Sequence, residues 1–227
     1  LLIMTNRLSP LEIMTRLVSF PTVSHDTNLP LVEWVAEYLS SHGIEHYIWI
    51  DPEQPEKAGL YAHVGPKVDG GVVLSGHTDV VPVEGQDWSS DPYVVVERDG
   101  KYFGRGCADM KGFDALALWA LVEGHYADLQ RPLQLAYTFD EEIGCTGVPP
   151  LIEEMQTHLP KAESVIVGEP SMLKAVTGHK GAFAMATHVR GFEVHSSLMH
   201  EGVSAVMEAA RIIDWANHRN TENRAKP

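Results

Sequence analysis

Three short apolar runs, 71–76 (GVVLSG), 133–139 (LQLAYTF) and 164–168 (SVIVG), are separated by segments with helical periodicity. One such segment starts near Lys111 (KGFDALALWALVEGHY), and another is VPPLIEEMQTHL. Strands that read as continuous apolar runs are covered on both faces, and strand–helix–strand alternation builds a parallel sheet. The expected fold class is therefore α/β: a parallel-rich mixed sheet with helices on both faces.

Upstream, SPLEIMTRLVSF starts a helix with Ser9 as N-cap, Pro10 in the first position and Glu12 closing a capping box. NLPLVEWVAEYLSSHG places Leu31, Trp34, Val35, Tyr38 and Leu39 on one face, and Gly43 ends it. The segments 44–50 and 59–65 read as strands. After residue 178 the texture changes. The stretch 181–191 (GAFAMATHVRG) alternates like a half-exposed strand, GVSAVMEAARIIDWANHR reads as an amphipathic helix, and NTENRAKP as a polar tail. The pattern predicts a main domain over 1–177 and the beginning of a smaller α+β domain over 178–227.

In open α/β sheets, ligands collect beyond the carboxyl ends of the strands. His77 and Asp79 follow the first apolar run, Asp140, Glu141 and Glu142 the second, and Glu169 the third. Asp109, in GRGCADMKG, stands just ahead of a helix. Singly, these residues read as a loop histidine, a solvated turn and a helix cap. Delivered together to one sheet edge, a histidine and several carboxylates match the ligand chemistry of a borderline divalent cation such as Zn²⁺. Adjacent side chains of an extended segment point apart. One of Glu141 and Glu142 can then bind metal while the other takes a proton from attacking water. Asp79 is placed to orient the His77 imidazole. His125, His158, His179, His188, His200 and His218 read as surface or satisfied groups.

The net charge of −14 argues against nucleic acid and anionic membrane surfaces as partners. The two cysteines, Cys107 and Cys145, form no CxxC pair, and no apolar run approaches the roughly 20 residues of a bilayer span. The segment LLIMTNRLSP has no secretory h-region, so the expected location is cytoplasmic.

The motifs SGHTDVVP, GRGCADMKG, DEEIGCTG, GEPSM and VRGFEVHSS occur in the order found in the di-zinc aminoacylase/carboxypeptidase family of metallohydrolases, which the sequence resembles. The resemblance implies a zinc-exopeptidase-like fold with a lid/dimerisation domain, and two divalent ions, zinc first and cobalt as the alternative. It implies that His77 and Glu169 hold one ion, Glu142 the other, and Asp109 bridges them. Glu141 would be the general base, Asp79 the support of His77, and His195 an oxyanion donor acting across a homodimer. A cis peptide is implied at Asp109–Met110. The implied substrate is a small N-acyl amino acid, with acetyl, succinyl and peptidyl groups as alternative acyl parts. Family members also carry a second metal-binding histidine in a C-terminal segment that returns to the catalytic domain. Nothing after His218 supplies it, so the sequence reads as a fragment of such an enzyme, with a catalytically incomplete protein as the alternative.

Overall fold

The computed structural model describes residues 7–178, 181 and 184–224. His179 and parts of the stretches 1–10, 181–191 and 220–227 lie outside the described residues. The chain divides into two units, Leu1–Ala175 and Val176–Pro227.

The first unit contains helices α1 (Pro10–Val18) and α2 (Leu29–Ser41), strands β1 (His46–Ile50), β2 (Ala58–Val64), β3 (Val72–His77), β4 (Val96–Arg98) and β5 (Lys101–Phe103), helix α3 (Lys111–His125), strand β6 (Leu133–Thr138), helix α4 (Val148–His158) and strand β7 (Ser164–Val167). The capping box at α1 is formed: Ser9 accepts from the Glu12 amide, and Glu12 accepts from the Ser9 amide. Gly43, just past α2, adopts φ +71°.

The main sheet has the order β1-β2-β6-β3-β7. It is mixed: β3 runs parallel to β6 and β7, whereas β2 is antiparallel to β1 and β6. Strand alternation sends Leu60, Ala62, Val64, Leu135 and Tyr137 to one face, where they join the apolar sides of α1, α2 and α3 in the main core. Tyr61, Val73 and Ala136 face the other side and pack with Leu151 of α4. Edge strand β7 leaves Val165, Ile166 and Val167 at least half exposed.

Two glycines let α3 press against the strand ends. A Cβ at Gly76 would lie 1.9 Å from Asp114 Oδ1, and one at Gly168 1.9 Å from Phe113 Cγ. The missing side chains bring the start of α3, and Asp109 ahead of it, to the carboxyl edge of β3 and β7.

The second unit contains a 3₁₀ turn at Ser196–Glu201 and helix α5 (Ala205–Arg224), which extends five residues into the expected polar tail. The expected strand over 181–191 does not form among its described residues. Pairing there is limited to a single bridge between Phe192 and Val203, too little to hold a strand.

Candidate metal centre

Register places the candidate residues. His77 is paired with Thr138 across β3 and β6, and Ser75 with Val167 across β3 and β7. Counting two residues on, Asp140 comes level with Asp79 and Glu169 with His77. The three strand ends therefore open onto one crevice.

His77 lies at its floor, with a side chain 1% exposed. Its Nδ1 is 2.9 Å from the Asp79 carbonyl oxygen and 3.3 Å from Asp79 Oδ1. Nδ1–H donates to the carbonyl, which turns Nε2 toward the carboxylates. Asp109 Oδ1 is 3.1 Å from Nε2, Glu169 Oε1 3.4 Å and Glu141 Oε2 3.9 Å. The Asp109, Glu141 and Glu169 side chains are 49%, 36% and 41% exposed, so the crevice is open to a solute above a buried imidazole. Two donor sets have ligand atoms within 4.8 Å of one another: His77, Glu141 and Glu169, and His77, Asp109 and Glu142. The Asp109–Met110 peptide is cis.

The electrostatics are those of an anionic cluster around one cationic position. Burial disfavours the His77 imidazolium, yet the hydrogen bond and charge of Asp79, joined by Asp114 and Glu169, outweigh it and push His77 up to about 10. Burial, then the charges of Asp109 and Glu141 against the pull of His77, raises Glu169 to about 6. Glu142 is raised by burial and by Asp109. For Asp79, burial is overcome by hydrogen bonds from His77 and Ser24, and its carboxyl stays below the usual range. These donors fit a divalent ion. A cation among them relieves the mutual repulsion, and one imidazole with several carboxylates is a zinc-type donor set.

Asp79 does more than orient His77. Its Oδ1 accepts from the Glu141 amide at 3.1 Å, and its Oδ2 from the Glu142 amide at 3.3 Å and the Ser24 hydroxyl at 2.7 Å. One carboxylate thus ties the end of β3 to the turn after β6. Asp140, first of the three consecutive carboxylates, turns inward and pairs with Lys57 Nζ at 3.0 Å, both side chains almost fully buried. Neither Lys57 nor Ser24 carries a sequence signal for this role.

Beneath the crevice, Asp114 is buried, and Oδ1 has no hydrogen-bond partner among the described residues. Burial raises this carboxyl well above its ordinary range. Lys111 is fully buried, donates from Nζ to the Phe20 carbonyl, and is pushed down to about 7 by burial. Cys107 and Cys145 are free thiols outside both donor sets. His195 belongs to the second unit, where Nδ1 lies 2.8 Å from Ser197 Oγ and accepts from the Ser197 amide.

A sequence model of peptidase family M20/M25/M40 matches residues 73–223, which include every candidate residue above. The chain belongs to peptidase family M20/M25/M40. Within this family it is 34% identical over 202 residues to an acetylornithine deacetylase of Pasteurella multocida (strain Pm70), covering 86% of this chain and 52% of that protein. The chain thus spans about half the length of that curated relative. Two solved structures share the M20 fold. An M20 metallo-carboxypeptidase, Sso-CP2 from Sulfolobus solfataricus, superposes with a TM-score of 0.62 at 22% identity, over 71% of this chain and 37% of that one. A tripeptidase from Staphylococcus aureus subsp. aureus mu50 gives 0.61 at 18% identity, over 92% and 56%. No helix among the described residues is long and apolar enough to cross a membrane.

Proposed function

We propose that this chain carries the metal-binding half of an amide hydrolase that removes the acetyl group from N2-acetyl-L-ornithine, giving L-ornithine and acetate. The supporting observation is the crevice itself: one buried imidazole facing Asp109, Glu141 and Glu169, with Glu142 in a second donor set on the same histidine. The acetyl-ornithine assignment follows the P. multocida relative.

In this reading His77 and Glu169 hold one divalent ion, Glu142 the other, and Asp109 is shared. Zinc is the metal that best suits the donors, with cobalt as the substitute. Bound divalent ions supply Lewis acidity toward the amide carbonyl and toward water. Glu141 is the base. Its amide is held by Asp79 while its carboxylate reaches the rim of the crevice, free to accept a proton from the attacking water. Water oxygen bonds to the acetyl carbon, the carbon–nitrogen bond breaks, and Glu141 returns the proton to the leaving amine. Asp79 keeps Nδ1–H of His77 on its own carbonyl, leaving Nε2 for the ion. His195 is the oxyanion donor, contributed across a homodimer by the second unit, which we read as the start of a lid/dimerisation domain over 178–227. The first 177 residues then form the catalytic portion, and the arginine-biosynthetic, cytoplasmic setting follows from the same reading.

The test is release of ornithine from N2-acetyl-ornithine by zinc-loaded protein, with N-succinyl and dipeptide substrates alongside. Glu141→Gln is expected to retain zinc and lose about 10²–10⁴ in turnover. Preference for a succinyl substrate or a dipeptide overturns the acetyl assignment. Zinc binding without turnover on any of them makes this chain a catalytically incomplete metal-binding protein.

A further inference from the structure

The turn that presents Glu141 and Glu142 is enclosed by a ring of buried polar contacts. Lys57, next to the first residue of β2, is 2% exposed, and Asp140 is 1% exposed. Their 3.0 Å ion pair joins residues 83 apart in sequence. Lys57 Nζ also donates to the Ser24 carbonyl. Ser24 in turn donates from its hydroxyl to Asp79 Oδ2, and its amide donates to the Val80 carbonyl at 3.2 Å. Asp79 closes the ring by accepting the amides of Glu141 and Glu142.

Asp140 is also where the chain changes direction. Its φ of +56° lies in the left-handed region, which non-glycine residues seldom occupy. The Asp140 carbonyl accepts the Cys145 amide at 2.8 Å, which closes the turn on its far side. Side chains of adjacent extended residues alternate. A left-handed residue breaks that alternation, so Asp140 is directed into the interior while Glu141 and Glu142 both leave it partly exposed. A buried ion pair is a poor route to stability, because desolvation cancels much of the attraction. Its physical use at this place is to define one geometry.

We propose that Lys57 and Asp140 are positioning residues: their ion pair, linked through Ser24 to Asp79, fixes the left-handed turn that directs Glu141 and Glu142 at the metal crevice. The inference rests on the metal reading of those two glutamates. Neither Lys57 nor Asp140 touches the reacting atoms.

Lys57→Met alone strands a buried carboxylate and can unfold the protein, so K57M/D140N carries the test. It removes both charges, and Asn tolerates the left-handed backbone. A cooperative melt establishes that the variant is folded. Zinc affinity by titration calorimetry and deuterium uptake across 139–145 are then compared with the parent. The expected result is zinc binding weakened about 10–100-fold, as for other outer partners of metal ligands, with faster uptake confined to that turn. A folded K57M/D140N that binds zinc as tightly as the parent, with unchanged uptake at 139–145, overturns the proposal. If the parent itself binds no zinc, the metal reading fails separately. Uptake at the turn then decides whether the ion pair positions it.

Discussion

Asp79→Asn tests the site's wiring most sharply, because it changes one atom and almost no volume. Three donors hold the Asp79 carboxylate, the Glu141 amide at Oδ1 and the Glu142 amide and Ser24 hydroxyl at Oδ2, and His77 Nδ1 lies 3.3 Å from Oδ1. An asparagine offers one acceptor oxygen and one NH₂. The Ser24 hydroxyl can rotate and accept, but a backbone amide cannot. In either amide orientation one Glu backbone N–H therefore faces another donor. Losing a hydrogen bond to a charged acceptor costs about 1.5–3 kcal/mol, so the folded-to-unfolded ratio falls roughly 10–100-fold. The assay is urea unfolding in the presence of chelator, since a metal bound only by the folded state would mask the loss. The midpoint should fall with the slope unchanged. Ser24→Ala removes the 2.7 Å bond to the same carboxylate, and the two substitutions should be non-additive. A change below about 0.5 kcal/mol for Asp79→Asn, within the range of ordinary surface substitutions, would refute the reasoning.

Gly168→Ala should destabilise by about 1–3 kcal/mol through overpacking, because the new methyl meets the root of the Phe113 ring. It should also displace Glu169, so weaker zinc binding accompanies the lower melting temperature, and an unchanged melt contradicts the close packing of α3 on β7. His42 and His63 are both held below their ordinary 6.5, His42 by burial and the charges of His125 and Arg7, His63 chiefly by burial. The unfolded chain therefore binds these protons first. Stability is intact above about pH 6.5 and declines as pH falls toward and through the folded values. The gap between the parent and His42→Gln/His63→Gln in melting temperature should narrow between pH 7 and pH 5.5, and parallel curves contradict the burial account.

The elements that set the fold are those with the simplest physical signatures. Unbroken apolar strands at β3 and β6, the Ser9–Glu12 capping box, and the periodic helices at α2 and α3 can be read directly from the sequence. Because ligand groups in such sheets follow the strands, the same reading finds His77, Asp109, Glu141, Glu142 and Glu169, which the structure assembles in one crevice. The β4–β5 hairpin has an equally simple signature. Its turn is Asp99–Gly100, both at positive φ, a dipeptide that favours a tight hairpin. Lys57 is different. A lysine beside a strand usually reaches solvent, and only the tertiary fold shows it closing on Asp140. Among its described residues, the strand expected over 181–191 fails for a related reason: alternation describes a face, but a strand also needs a partner.

The most direct measurement of the central claim is zinc content by elemental analysis after equilibrium dialysis, on the parent, His77→Ala and Glu169→Gln, each shown to be folded. His77 belongs to both donor sets, so the account predicts stoichiometric zinc in the parent, loss in His77→Ala, and weakened retention in Glu169→Gln. Zinc absent from the parent, or retained undiminished in His77→Ala, would contradict it.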